Sequence, residues 1–275
     1  GSERRLLTQS KDRLFVTDSV ARGGTLLMLK SQGEPDHSRE SLFLMKGEEL
    51  SSLGINSRFV RHPSFSPDGR SVVFESDRDG FRDIYRLALK PAAVPERLTR
   101  ESSGCFEPSL DPEGGSVVFV SSISGDPEIY RVDIEVKHWR RLTWSPGLDG
   151  APRVSPDGDH IAFISTRGGG PRAHVMERDG GKPRAVVEWD GDLELVHEDL
   201  RWSPDGKWLS FVARRPNRSS LQVVFVPSGE RVRLRGGEWF DQTPRWSPGG
   251  DELVFASNRD GDTELYRMRR DGSQL

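Results

Sequence analysis

The feature that most constrains the fold is a segment that recurs six times along the chain at nearly constant spacing. The stretch PSFSPDGRSVVFESDRDGFRDIYRL, residues 63–87, combines a tight turn, two short apolar runs and an acidic loop. Equivalent glycines follow one another at intervals of 45, 45, 44, 48 and 44 residues: Gly24, Gly69, Gly114, Gly158, Gly206 and Gly250. Repetition at this period predicts an architecture in which each repeat is one supersecondary unit.

Other positions keep the same phase as the glycines. Five residues after each glycine the chain has Leu29, Phe74, Phe119, Phe163, Phe211 and Phe255. Sixteen residues after it, three units have tyrosine and two have another polar residue: Tyr85, Tyr130, His174, Gln222 and Tyr266. Six residues before it, four units have proline: Pro63, Pro108, Pro152 and Pro244. These positions define columns of equivalent residues across the repeats.

Each unit reads as four short strands. A first strand such as PSFS alternates apolar and polar residues, and SPDG then supplies the residues of a type I turn. A second strand of the VVFES kind, a DRDG-type loop and a third strand of the DIYRL kind follow, and the fourth strand ends in Leu-Thr. Four-stranded units of about 40–45 residues are typical of β-propeller blades. The sequence therefore predicts an all-β, six-bladed β-propeller of antiparallel blades.

The whole chain is predicted to form a single propeller domain, residues 1–275. The blades are expected at roughly 11–54, 55–99, 100–143, 144–188, 189–235, and 236–275 together with 4–8. The segment RRLLT at 4–8 matches the fourth-strand motif RRLT at 140–143, whereas the last unit stops after its third strand. The N-terminal strand is therefore expected to complete the last blade and close the ring, which removes an exposed sheet edge.

The repeat resembles that of the TolB-type propeller family, a WD-like repeat common in bacterial envelope proteins. The best matches are PSFSPDGRSVVFESDRDGFRDIY and PRWSPGGDELVFASNRDGDTELY. The first unit departs from the pattern because it lacks SPDG, and the fourth has STRGGG in place of SDRDG. The resemblance implies a scaffold in the periplasm or cell envelope that binds another protein and performs no chemistry, with the cytoplasm left open as an alternative.

Composition restricts the kind of partner. The net charge of -3 provides no general positive field for binding nucleic acid. No apolar stretch approaches the roughly 18 residues that a membrane span requires. Cys105 is the only cysteine, so neither a disulfide framework nor a thiolate metal site is expected. Gly1-Ser2 is interpreted as a cloning scar. The protein is expected to be a monomer and to bind no cofactor.

Arginine recurs at one position of the first strand in three successive blades. The residue after the aligned proline or leucine is Arg153, Arg201 or Arg245 in these units. Strand alternation directs the next residues, Val154, Trp202 and Trp246, into the blade packing, so the arginines are expected to face the channel. Arginine suits bidentate binding of a carboxylate. The alternative is internal pairing with acidic residues near the start of these strands: Glu107, Asp149, Asp199 and Asp241.

Four further residues are predicted to contact a partner at the face that carries the loops leading into the first strands. They are His62, Phe81, Phe106 and Trp239, of which the three aromatic residues break the pattern of their columns. Exposed aromatic residues frequently dominate the binding energy of protein interfaces. Packing within the core is the alternative for each of them.

The acidic loops are weak candidates for calcium. Asp77 and Asp79 in one loop, and Asp260 and Asp262 in another, place carboxylates at alternating positions. Neither loop has a full calcium-binding loop with its terminal glutamate. Asp-Gly turns also connect strands for backbone reasons alone, so a structural turn is the main interpretation and no metal is predicted.

No catalytic motif is legible: the sequence contains no G-x-S-x-G, no H-E-x-x-H and no P-loop. We therefore predict a non-enzymatic scaffold that binds a protein or peptide, possibly an acidic one. Two alternatives remain open at this point. One is the propeller domain of a prolyl-oligopeptidase-like peptidase, and the other is a metal-dependent sugar lyase.

Overall fold

The computed structural model describes residues 13–19, 25–32, 39–186, 194–195, 199–215, 217–232 and 238–273. In the first three sheets the strands are β1 (Arg13–Ser19), β2 (Thr25–Gln32), β3 (Arg39–Lys46), β4 (Glu49–Ser57), β5 (Val60–Phe65), β6 (Ser71–Ser76), β7 (Asp83–Ala88), β8 (Glu96–Arg97), β9 (Cys105–Leu110), β10 (Ser116–Ser121), β11 (Glu128–Asp133) and β12 (Trp139–Arg141).

The remaining strands are β13 (Asp149–Val154), β14 (His160–Ser165), β15 (Arg172–Glu177), β16 (Arg184–Ala185), β17 (Glu194–Leu195), β18 (Arg201–Trp202), β19 (Trp208–Arg215), β20 (Arg218–Phe225), β21 (Glu230–Val232), β22 (Asp241–Trp246), β23 (Glu252–Ser257) and β24 (Glu264–Arg269). No helix among the described residues is long and apolar enough to cross a membrane.

The strands form six antiparallel sheets that follow one another along the chain. Four sheets have four strands in sequence order, and in the fifth both β17 and β18 pair with β19. The sixth sheet consists of β22, β23 and β24 within the described part of the chain. This arrangement confirms the predicted class, a six-bladed β-propeller. The strand expected to close the last blade, residues 4–8, lies outside the described residues.

The fold divides into two compact units. One comprises residues 1–117 and 132–138, and the other comprises residues 118–131 and 139–275. In the first unit, Leu27 and Leu42 belong to one buried cluster with Val72 and Phe74 of the second sheet. Three such clusters, each drawn from neighbouring sheets, lie among the described residues of the second unit. Apolar residues of the second and third strands therefore form the cores, as the sequence pattern predicted.

The SPDG segments form the predicted tight turns. In the second blade, the Ser66 hydroxyl donates to Asp68 at 2.7 Å and accepts a hydrogen bond from the Ser71 amide at 2.9 Å. The Gly69 amide donates to the Ser66 carbonyl at 2.8 Å, and Gly69 has a φ of 67°. Such a φ favours glycine, which has no Cβ. The Ser66 hydrogen bond and the Arg70 amide lower the pKa of Asp68.

The fourth strand of the second blade is held by a buried carboxylate. Asp83 is fully buried and accepts hydrogen bonds from Arg97 and from the Thr99 hydroxyl, the latter at 2.7 Å. The same hydroxyl oxygen accepts from the Ile84 amide at 2.9 Å. Leu98 of the Leu-Thr ending is therefore part of the core, and Thr99 bonds to Asp83. We call the buried carboxylate with its arginine and threonine partners the polar clamp; it fixes the position of the strand.

The third blade repeats this clamp with a longer acid. Glu128 is buried and binds Arg141 and the Thr143 hydroxyl, while the Ile129 amide donates to Thr143 at 2.9 Å. The Ser145 amide donates to Glu128 at 3.0 Å, as the Glu101 amide does to the aspartate of the second blade. Because the same contacts occur in two blades, the clamp is a recurring feature of the repeat.

His174 replaces tyrosine in the aromatic column of the fourth blade. Its ring lies 5.4 Å from that of Phe163, much as Tyr85 lies 5.7 Å from Phe74 in the second blade. The tyrosine hydroxyl donates to Asp79, but the position equivalent to Asp79 in the fourth blade is Gly168. His174 is buried, and this burial lowers the pKa of its imidazole below the ordinary 6.5.

We expect Thr99→Val to destabilise the protein by about 1–3 kcal/mol, because the Ile84 amide and Asp83 both lose a buried hydrogen-bond partner. Urea unfolding followed by tryptophan fluorescence measures the change. Ser102→Ala, at an exposed serine three residues later, is the control and should be neutral. Equal stability of the two variants would contradict the clamp.

We expect His174→Gln to reduce the loss of stability in acid. Because the pKa of His174 is lowered in the folded state, the unfolded chain binds the proton first, and stability falls as the pH drops below about 6.5. Glutamine, which Gln222 supplies at the equivalent position of the fifth blade, does not titrate. The measurement is the difference in Tm between about pH 7.5 and about pH 5.

This difference should be smaller for His174→Gln than for the parent. His138→Gln, at an exposed histidine, should leave the difference unchanged. An identical acid response of parent and His174→Gln would show that this histidine does not contribute to it.

Candidate functional site

The structure places the three arginines of the repeated column at equivalent positions in the second unit. Arg153 pairs with Ala162, Arg201 with Ser210, and Arg245 with Val254 in the first-to-second-strand ladders. The following residues, Val154, Trp202 and Trp246, pack against the buried clusters. The apolar residues therefore face the cores, as predicted, and regular strand alternation directs the arginines to the opposite face.

The three guanidinium groups share one conformation. Nη1 of Arg153 donates to the carbonyl of Pro152 at 2.8 Å, Nη1 of Arg201 to that of Leu200 at 3.1 Å, and Nη1 of Arg245 to that of Pro244 at 2.9 Å. Each side chain is thus folded back along its own strand. In each case the carbonyl accepts from one of the five N–H groups of the guanidinium.

Indole hydrogen bonds connect these strands from blade to blade. Nε1 of Trp202 donates to the carbonyl of Arg153 at 2.8 Å, and Nε1 of Trp246 donates to the carbonyl of Arg201 at 3.4 Å. The backbones of Arg153 and Arg201 are therefore tied to the tryptophan of the next blade. This contact explains why the residue after the arginine is Trp in two of the three units.

A strained backbone position precedes the column. The residues before the aligned prolines have positive φ although none is glycine: His62, 48°; Glu107, 53°; Ala151, 51°; Thr243, 49°. The register of the first strand shifts around three of them, as at a β-bulge. No residue type marks this position, so sequence reasoning could not detect it. The bulge sets which face of the blade the following residues occupy.

Two of the acidic residues considered as internal partners of the column bind other arginines. Asp149 is buried and pairs with Arg167 at 2.6 Å, and Asp241 pairs with Arg259 at 2.8 Å. Both arginines come from the loop after the second strand. These ion pairs attach that loop to the start of the first strand, and they are separate from the bonds that the column arginines make.

The other predicted contact residues differ in exposure. Phe81 has 53% of its surface exposed. Phe106 is half-buried with the Arg82 guanidinium 4.5 Å from its ring centroid, and Trp239 is half-buried with Arg259 at 4.9 Å. His62 is also half-buried, and its Nδ1 lies 3.2 Å from Glu75. Two of the three aromatic residues therefore serve as stacking surfaces for arginine.

The acidic loops use their carboxylates within the protein. Asp77 accepts a hydrogen bond from the Phe59 amide at 3.1 Å, and Asp79 accepts one from the Tyr85 hydroxyl at 2.9 Å. In the sixth blade the Tyr266 hydroxyl donates to Asp260 at 2.6 Å, which raises the pKa of that tyrosine. Asp262 follows the turn glycine Gly261. Within the described ranges no three His, Cys, Asp or Glu side chains are grouped to hold a metal ion.

Two features were missed in the sequence. Trp144 follows the Leu-Thr ending of the third blade and is 67% exposed, with Arg141 lying 5.7 Å from its ring centroid. Glu75 is fully buried and binds Arg82, His62 and the Glu107 amide. The sequence could have indicated that Glu75 is unusual, because it is charged at a position that is apolar in the next four units: Val120, Ile164, Val212 and Ala256.

Sequence comparison finds a family model and relatives that match part of the chain. Residues 95–195 match the family model described as the TolB beta propeller domain. An uncharacterized protein from Agrobacterium fabrum is 31% identical over 128 residues, which cover 44% of this chain and 40% of that protein. The Tol-Pal system protein TolB of Bordetella pertussis is 31% identical over 133 residues, covering 48% of this chain and 29% of that protein. The chain thus matches less than half the length of these relatives.

Comparison with solved structures extends the similarity to nearly the whole chain. A putative TolB from Agrobacterium tumefaciens superposes with a TM-score of 0.67 at 22% identity, over 96% of this chain and 93% of that one. A prolyl endopeptidase gives a TM-score of 0.73 at 13% identity, over 96% of this chain and 41% of that one. At these identities the likeness shows the fold alone.

The SPDG turns, the six antiparallel sheets, the matched family model and the TolB relatives agree with one another. They show a six-bladed β-propeller that is similar to TolB proteins over part of its sequence.

Proposed function

We propose that the protein is a non-enzymatic scaffold of the bacterial cell envelope that binds an acidic protein or peptide. The observation that carries this proposal is the column of Arg153, Arg201 and Arg245, three equivalent cationic side chains on neighbouring strands of one unit. The Bordetella relative is a Tol-Pal system protein, which supports a place in the cell envelope and a protein partner.

The column has properties suited to recognition. Its arginines alternate with residues that pack in the cores, so the strand that presents them is fixed by packing. The tryptophan hydrogen bonds hold the backbone of Arg153 and Arg201 to the next blade. A guanidinium on a rigid strand loses little conformational freedom when it binds a carboxylate, and preorganisation of this kind improves affinity.

Charge also favours an acidic partner. The protein as a whole has a net charge of -3, so a local group of three arginines is opposite in sign to the net charge of the chain. Such a group attracts an acidic segment and makes its binding sensitive to salt. The absence of a recognisable nucleophile–base motif from this sequence supports binding over catalysis. A peptidase propeller has the same fold, but no residue of the column favours that function over a scaffold.

The test measures binding of a fluorescein-labelled hexaglutamate peptide by fluorescence anisotropy, with hexaglutamine as the uncharged counterpart. We expect hexaglutamate to bind and hexaglutamine not to bind, with affinity falling as salt is raised. Arg153→Ala, Arg201→Ala and Arg245→Ala should each weaken binding by about 2 kcal/mol, or about thirtyfold. Circular dichroism verifies that each variant is folded.

Arg231→Ala is the matched control, because it removes one positive charge from an exposed position of the outer strand β21 in the same unit. It should bind hexaglutamate as the parent does. The proposed site is wrong if the three column variants bind as tightly as the parent. It is also wrong if they lose no more affinity than Arg231→Ala does, and in either case the column arginines are structural.

A further inference from the structure

A second arginine site lies in the first unit, where one blade departs from the repeat. Glu75 stands in the second strand β6 and is fully buried, at a position that is apolar in the next four units. Arg82 stands just before the third strand, where the following units have Pro127, Pro171, Ser219 and Thr263. A charged pair that replaces repeat residues in one blade requires a reason beyond the fold, because the other blades form without it.

Glu75 fixes the orientation of its neighbours. Both Nε and Nη2 of Arg82 donate to Oε1, with the Nε distance at 2.6 Å. On the other oxygen, Oε2, the His62 ring nitrogen Nδ1 lies at 3.2 Å and the Glu107 amide at 3.1 Å. The carboxylate therefore satisfies its lone pairs with charge-assisted hydrogen bonds, which offset the free energy of burying it.

Two aromatic rings lie close to the guanidinium. The Arg82 guanidinium carbon lies 4.1 Å from the ring centroid of Phe59 and 4.5 Å from that of Phe106. One edge of the group is directed to Glu75, so the other edge is the one left for a ligand. The Arg82 side chain nevertheless keeps 42% of its surface exposed.

The remaining edge is the one that binds carboxylates end-on. It is formed by Nη1 and the second N–H of Nη2, and Nη1 has no hydrogen-bond partner in the described part of the chain. Phe81, the preceding residue, is 53% exposed. Arg259, an arginine at a different position of the repeat, is less accessible: its side chain is 10% exposed and is held by Asp241 and Ser257.

We propose that Arg82, held by Glu75 and the Phe59–Phe106 pair, is a binding site for a carboxylate attached to an apolar group. The free edge of the guanidinium binds the two carboxylate oxygens, and Phe81 contacts the apolar part. This inference is independent of the proposed acidic partner, because it concerns a different arginine in the other unit.

The experiment measures binding of N-acetyl-Gly-Phe as the free acid and as the C-terminal amide, by ligand-observed NMR on the full chain. The free acid should bind about tenfold or more tightly than the amide, since the amide has one oxygen acceptor and no charge. 3-Phenylpropionate is the second probe. Tighter binding of the dipeptide indicates a peptide C-terminus, and equal binding of the two acids indicates a small organic acid; both outcomes support a carboxylate site.

Variants locate the site. Arg82→Lys retains the positive charge beside Glu75 but has no second planar edge, so it should bind the free acid about tenfold more weakly. Glu75→Val with Arg82→Pro gives the second blade the residues of the third blade, Val120 and Pro127. This double variant should lose binding and keep a Tm equal to or above that of the parent, because apolar replacement of a buried ion pair is often neutral or stabilising.

Arg70→Ala is the control, since it removes an exposed arginine from a turn of the same blade and should leave binding unchanged. Equal binding of acid and amide, or full binding by Arg82→Lys, would overturn the proposal. Because Arg82→Lys keeps the positive charge beside Glu75, the test does not depend on whether the double variant folds. Loss of hexaglutamate binding in the column variants would leave this result unaffected.

Discussion

Burial of a carboxylate beside an arginine is the interaction on which the blades depend. Asp83, Glu128 and Asp149 are each removed from water, and each accepts hydrogen bonds from an arginine of another strand or loop. An unpaired buried charge would be strongly destabilising, so the pairs hold only while both strands are in place. The short outer strands, two or three residues long in β8 and β12, owe their position to these clamps as much as to ladder hydrogen bonds.

Arginine is required in these pairs because it stacks as well as bonds. Arg167 lies 5.2 Å from the ring centroid of Phe163 while it binds Asp149, and Arg259 lies within 5.1 Å of three aromatic rings while it binds Asp241. A planar guanidinium satisfies a carboxylate with its edge and an aromatic ring with its face, which an ammonium group cannot do. The repeat therefore couples its polar clamps to its aromatic columns.

The period of the repeat was sufficient to predict the turns, the strands and the register of Arg153, because backbone geometry depends on residue types that recur. Side-chain environments were predicted less well. The run VVFES reads as an apolar strand that ends in polar residues, whereas Glu75 lies deep in the blade and is compensated by Arg82, seven residues away. Phe106 reads as a free aromatic residue but stacks on that arginine. Such contacts depend on which side chains meet across strands, and the repeat pattern of a single sequence does not show which ones do.

Comparison of two equivalent aspartates shows how the repeat tolerates local deviation. In the sixth blade, Oδ1 of Asp241 binds Arg259 and Oδ2 accepts a hydrogen bond from the Leu221 amide of the preceding blade at 3.2 Å. The amide equivalent to that of Leu221 in the third blade belongs to Ile129, which already donates to Thr143. Oδ1 of Asp149 consequently has no hydrogen-bond partner among the residues that the structure describes. The third blade thus gains a complete clamp for its fourth strand and leaves one oxygen of the fourth blade unsatisfied, because a single amide cannot serve both neighbours.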